Sequence, residues 1–139
     1  MMSFNEKSAL AMGVLSLAVL GWFASMIVPP LVAGAGAPAP SELPLITMSI
    51  AFIIVSIVAH TVLGIMAPKD AAAGQDERDK AVIHKAGSRA GAVLGFFVIF
   101  ALLAYVTTGN ADVMFGLCLI GMMAATAGNY LLQVAFYRL

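Results

Sequence analysis

The chain has 139 residues, of which 62% are hydrophobic and only 10% charged, whereas a soluble domain carries roughly 25% charged residues; this is the composition of an integral membrane protein. Its net charge of zero removes any overall electrostatic case for a nucleic-acid partner. A single cysteine, Cys118, excludes an intrachain disulfide, and two histidines, His60 and His84, are too few for a structural zinc centre.

Met1 to Ser8 is a short polar head, and Ala9 to Val28 supplies about the twenty apolar residues that a membrane-crossing helix needs. Pro29-Pro30 is expected to stop that helix. Lys7 ahead of the apolar run and the small residues Ala35-Gly36-Ala37 would also suit a secretory signal, but the run is longer than an ordinary signal core and reads as a retained span. Pro29 to Glu42 is rich in Pro, Gly and Ala and has no periodicity, so it is expected to be an irregular connection on the far side. Pro44 suits the first turn of the next helix, with Ser41 or Glu42 near its cap. This second span covers about 43–67, and Pro68 ends it.

Pro68 to Arg89 is the one extended polar segment between two long apolar regions, with Lys69, Arg78, Lys80, Lys85 and Arg89 inside it. Asp76, Glu77 and Asp79 place negative charge where a helix N-terminus favours it, and Asp76 with Asp79 has the spacing of a capping pair. Nothing breaks a helix from there to Thr107. Roughly 32 residues at about 1.5 Å each reach about 48 Å, against a hydrocarbon core of about 30 Å, so 68–86 is expected to be a cytoplasmic linker and helix extension and 87–107 the third span. Asp76 and Lys80, spaced i, i+4, should support the first turns.

Thr107 to Asn110 allows only a tight turn, with Gly109 in a left-handed position and Asn110 as the next cap. The third span and the fourth, about 112–136, are therefore expected to be antiparallel neighbours. Tyr137 and Arg138 close the chain at an interface. Lys7, Lys69, Arg78, Lys80, Lys85, Arg89 and Arg138 all fall on one side of this layout and the opposite loops hold no Lys or Arg, which places both termini in the cytoplasm.

Three constellations stand out. Gly87, Gly91 and Gly95 repeat every fourth residue on the third span, as Gly121, Ala125 and Asn129 do on the fourth, and such stripes permit close helix packing within the bundle or between copies. Ser49, Ser56, His60 and Gly64 form a stripe on the second span, and Ala125, Asn129 and Gln133 one on the fourth, at matching depth. Polar groups in hydrocarbon must be satisfied, so His60 and Asn129 are expected to face each other inside the bundle. Ser56, Gln133 and Arg89 would lie close by, either as interhelical hydrogen bonds or as a small-ligand or proton site. Finally, Asp76, Glu77, Arg78, Asp79, Lys80 and Lys85 give the helix extension both signs of charge, as a docking surface would have. Met114, Cys118 and Met122 align as soft ligands, but methionine-rich packing explains the row and no metal site is assigned. No nucleophile with its base and no phosphate-cradling loop is present, so an enzyme is not expected.

The segments Ser3 to Ala9 (SFNEKSA), Asp76 to Gly91 (DERDKAVIHKAGSRAG) and Gln133 to Leu139 (QVAFYRL) resemble a group of small, uncharacterised bacterial inner-membrane proteins. These have four predicted spans, an Asp-Glu-Arg-Asp/Glu motif before the third and a Tyr-Arg-rich end. Here Arg138 is followed by Leu139 and not by the arginine and glycine usual in that group. The resemblance implies a bacterial inner membrane and brings no activity. The reading is an all-α, four-helix membrane bundle, one domain with both termini inside and its third helix extended into the cytoplasm. Its expected role is that of a non-enzymatic accessory or regulatory protein, with the bilayer and a membrane-protein partner or second copy as its contacts. The alternative is a small oligomeric transporter or channel, or a cofactor- or ligand-binding protein, built around His60; no particular cofactor is implied.

Overall fold

The structure, a computed structural model, describes residues 3–66, 68, 72 and 74–139. It is all-helical: α1 (Phe4–Val32), a 3-10 turn (Pro40–Glu42), α2 (Leu45–Met66), α3 (Glu77–Thr108) and α4 (Ala111–Arg138). Each of the four long helices is long and apolar enough to cross a membrane. Ala67 and Lys69, expected at the end of the second span and just after it, lie outside the described residues.

Local sequence sets the helix ends. The Ser3 hydroxyl accepts the Glu6 N–H at the start of α1, and Asp76 and Asp79 cap α3 reciprocally, each carboxylate taking the other's backbone N–H at 3.1 and 2.7 Å. Gly109 ends α3 with φ of 67°, a left-handed conformation that costs glycine little. The Asn110 side chain then accepts the N–H groups of Asp112 and Val113 to begin α4.

Two local expectations are corrected. Pro29 and Pro30 do not stop α1 but lie inside its last turn. Proline removes a donor and keeps its carbonyl, and the Pro29 and Pro30 carbonyls accept the N–H groups of Ala33 and Ala35 at 3.0 Å each, so one more turn closes. Glu42 does not cap α2. It accepts the Ala39 N–H at 3.2 Å to close the 3-10 turn, leaving the Pro44 carbonyl to receive the first helical bond of α2, from Met48.

The central element is α4, which packs against α3 on one side and α1 on the other, while α2 leans chiefly on α1. Serving two neighbours requires small residues on two faces. A Cβ at Gly116 would come within 3.1 Å of Ile27 in α1, and one at Gly121 would collide with the base of the Phe97 ring in α3. Val19, Phe23, Ile27, Leu43 and Leu119 form the buried apolar cluster, with Met48 and Phe52 of α2 against it. No residue of α2 is fully buried. Its half-buried residues Leu45, Met48, Phe52, Ser56, Ala59 and Leu63 recur at helical spacing, which marks the one stripe it turns inward.

The third-span glycines behave differently from the expected packing stripe. A Cβ at Gly87, Gly91 or Gly95 would meet nothing within 4 Å. The buried positions of α3 include Val82, Ala86, Ala90 and Ala101, so alanines make the seam with α4. A helix turns about 100° per residue, and the glycine row, following one position after Ala86 and Ala90, is rotated away from it. On α4 the expected small residues Gly121 and Ala125 are both buried.

Candidate functional site

The three segments that carry the resemblance meet at one end of the helix array. Asp79, in the first turn of α3, is at its centre. One carboxylate oxygen accepts the Asn5 amide at 2.7 Å and the Asp76 N–H at 3.1 Å, and the other accepts the Tyr137 hydroxyl at 2.8 Å. Asn5 comes from the start of α1 and Tyr137 from the end of α4, so one buried carboxylate ties three helices. Two further contacts tighten the same cap. Arg138 Nε pairs with the buried Glu6 at 3.0 Å, and the Arg78 guanidinium donates to the Tyr137 carbonyl at 3.0 Å.

Asp79 and Tyr137 lie outside the apolar stretches expected from the sequence at 87–107 and 112–136, and their surroundings shift both groups. Burial raises the Asp79 carboxyl pKa, but hydrogen bonds from Tyr137, the Asp76 backbone, Asn5 and the Asp76 side chain outweigh it and hold the group below its ordinary 3.8. Tyr137 is pushed well above its ordinary 10.0 by burial, by its bond to Asp79 and by the negative charge of Asp79 and Asp76, with Arg78 opposing. At neutral pH the pair is therefore a carboxylate and a neutral phenol, the arrangement in which that bond is strongest.

Behind the cap lies a cavity of about 310 Å³, lined by Asn5, Ser8, Ala9, Gln75, Ile83, Asn129, Tyr130, Gln133 and Tyr137. Its polar lining is uncharged. Gln133 is buried and its amide reaches the Asn129 carbonyl oxygen at 3.4 Å.

The expected His60 patch divides. His60 Nδ1 lies 2.8 Å from the Ser56 carbonyl, which can only accept, so Nδ1 is the donor in that contact. Nε2 lies within hydrogen-bond distance of the Ser8 hydroxyl of α1, at 2.8 Å. The histidine thus bonds α1 and not Asn129, because α2 packs chiefly on α1; the two reach common ground only through Ser8, which lines the cavity beside Asn129. The Ser56 hydroxyl is satisfied by its own helix, at the Phe52 carbonyl. Arg89 stands apart, with its guanidinium 5.0 Å from the centre of the Phe136 ring.

The docking candidates divide as well. Asp76 is consumed by capping, and Asp79 is buried. Lys80 pairs with Glu77 at 2.7 Å and not with Asp76, whose carboxylate is held by the Asp79 N–H. Glu77, Arg78, Lys80, His84 and Lys85 remain on the exposed face. Sequence reasoning passed over Asn5, Ser8, Glu6 and Tyr137. The available signal was their membership of the same short motifs, since nothing in their spacing announces a contact across the chain.

The chain matches no family model, no curated protein and no solved structure.

Proposed function

We propose that this chain is a multi-pass protein of a bacterial inner membrane with both termini in the cytoplasm, acting as a non-enzymatic accessory or regulatory protein through its cytoplasmic cap. The orientation is supported by the basic residues, all of which fall on the side of the two termini. The bacterial inner membrane is supported by the resemblance alone. The observation that carries the role is the Asp79 junction, which fixes the ends of α1, α3 and α4 together and so makes a rigid base from which Glu77, Arg78, Lys80 and His84 stand out. The partner suited to it is another membrane protein or a second copy of the chain.

The test is native mass spectrometry of the protein extracted in mild detergent, comparing wild type with a Glu77→Lys, Lys80→Glu, His84→Ala variant that leaves Asp79 untouched. A stoichiometric complex in the wild type and its loss in the variant are expected. An equal complex in both, or a lone chain in both, overturns the docking role. The polar cavity favours a second reading, a ligand-binding or transporting protein. A small molecule retained by the lone chain and lost in Asn129→Leu would establish that reading instead.

A further inference from the structure

The exposed charge of the cap is not balanced as the sequence suggests. Of the three acids at the start of α3, Asp76 is engaged in capping the helix, Asp79 is buried and Glu77 is paired with Lys80. Lys85 and Arg89, one turn apart on α3, are left without a hydrogen bond or ion pair among the described residues. Both reach the same aromatic ring: Lys85 Nζ lies 4.6 Å from the centre of Phe136 and Arg89 Cζ 5.0 Å from it, within the range of a cation–π contact. Two cations gathered on one ring repel each other, and an anion beside them would relieve that repulsion.

Their helical face continues as a hydrocarbon surface. Val93, Phe96 and Phe100 follow Arg89 at i+4, i+7 and i+11 on the same face of α3, all exposed, Phe96 at 66% and Phe100 at 52%, and the two phenyl rings stack at 6.3 Å. A charged head followed by an apolar wall one to three turns deeper is the outline of a phospholipid. A free anion would use only the first part. We infer that Lys85, Arg89 and Phe136 form a headgroup site for an anionic phospholipid, whose acyl chain lies along Val93, Phe96 and Phe100. The site rests on the membrane reading above but not on the orientation of the chain or on any partner.

The probe is reconstitution into phosphatidylcholine vesicles with and without phosphatidylglycerol, followed by detergent extraction and native mass spectrometry of retained lipid. Wild type should retain phosphatidylglycerol over phosphatidylcholine. Lys85→Gln with Arg89→Gln should weaken that retention about thirtyfold, two basic residues contributing roughly 1 kcal/mol each. Lys7→Gln, which removes a basic residue from the same end, should leave it unchanged. Co-flotation with pure phosphatidylcholine vesicles keeps the two questions apart: failure to incorporate there would count against the membrane reading itself. Undiminished retention in the double variant overturns the site, as does equal loss in Lys7→Gln. Displacement of the lipid by millimolar inorganic phosphate would also overturn it, since the determinant would then be a soluble anion.

Discussion

Asp79 concentrates the physical argument at the scale of single residues. Its folded pKa lies below 3.8, so the stability it supplies is present above that value and is lost as pH falls through the lower folded one. Tyr137 is shifted upward from 10.0, so its contribution is complete below pH 10 and is lost as pH rises through the folded value. Unfolding in detergent followed against pH should show a plateau bounded by these two limbs. Tyr137→Phe should cost about 1 kcal/mol at neutral pH, the worth of one hydrogen bond, and should also remove the alkaline limb. If that limb persists unchanged in Tyr137→Phe, the assignment to Tyr137 fails. The capping half of this network could be read from Asp76 and Asp79 three residues apart. The other half could not, because Asn5 and Tyr137 reach Asp79 across 74 and 58 residues of chain. Asp76, Glu77 and Asp79 therefore looked alike as surface charges when Asp79 is buried.

At the scale of helices, small residues carry opposite meanings in α3 and α4. Hydropathy locates the four long apolar helices, and on α4 Gly121 and Ala125 are buried, with no room for a Cβ at Gly121 beside Phe97. The stripe Gly87-Gly91-Gly95 has the same spacing and faces open space, since spacing alone does not say which side of a helix its neighbour occupies. His60 misled for the same reason: its depth could be read, but the adjacency of α2 to α1 could not. Substitution separates the two stripes. Gly121→Ala should destabilise by about 1–3 kcal/mol, because the added methyl meets the Cβ of Phe97 and the backbone must shift. Gly91→Ala should be neutral or gain up to about 1 kcal/mol from helix propensity. Thermal unfolding of the two variants in the same detergent decides the matter, and a loss at Gly91 equal to that at Gly121 would contradict the packing described.

Across the whole molecule, α1, α4 and α3 form a connected layer and α2 is its loosest member, with no fully buried residue and with His60 bonded to Ser8 across the α1 contact. An interhelical hydrogen bond of this kind is worth about 0.6–2 kcal/mol, so Ser8→Ala should raise the population of an opened α2 by about 3- to 30-fold. Spin labels at Leu17 and Ile57, in a Cys118→Ser background, should report a broadened α1–α2 distance in Ser8→Ala. Labels on α3 and α4 should report no change, and a variant that loosens both pairs alike would show that α2 is not the independent element.

The bond between Glu6 and Arg138 spans 132 residues, and this has a consequence for biosynthesis. α1 leaves the ribosome before α4, its main packing partner. The tight turn at Gly109 lets α3 and α4 pair as soon as both exist, while α1 must wait with α2 beside it. Arrival of Tyr137 and Arg138 is then the event that locks α1, so that a chain lacking those two residues would keep its four long helices and leave α1 unlatched for proteolysis to find.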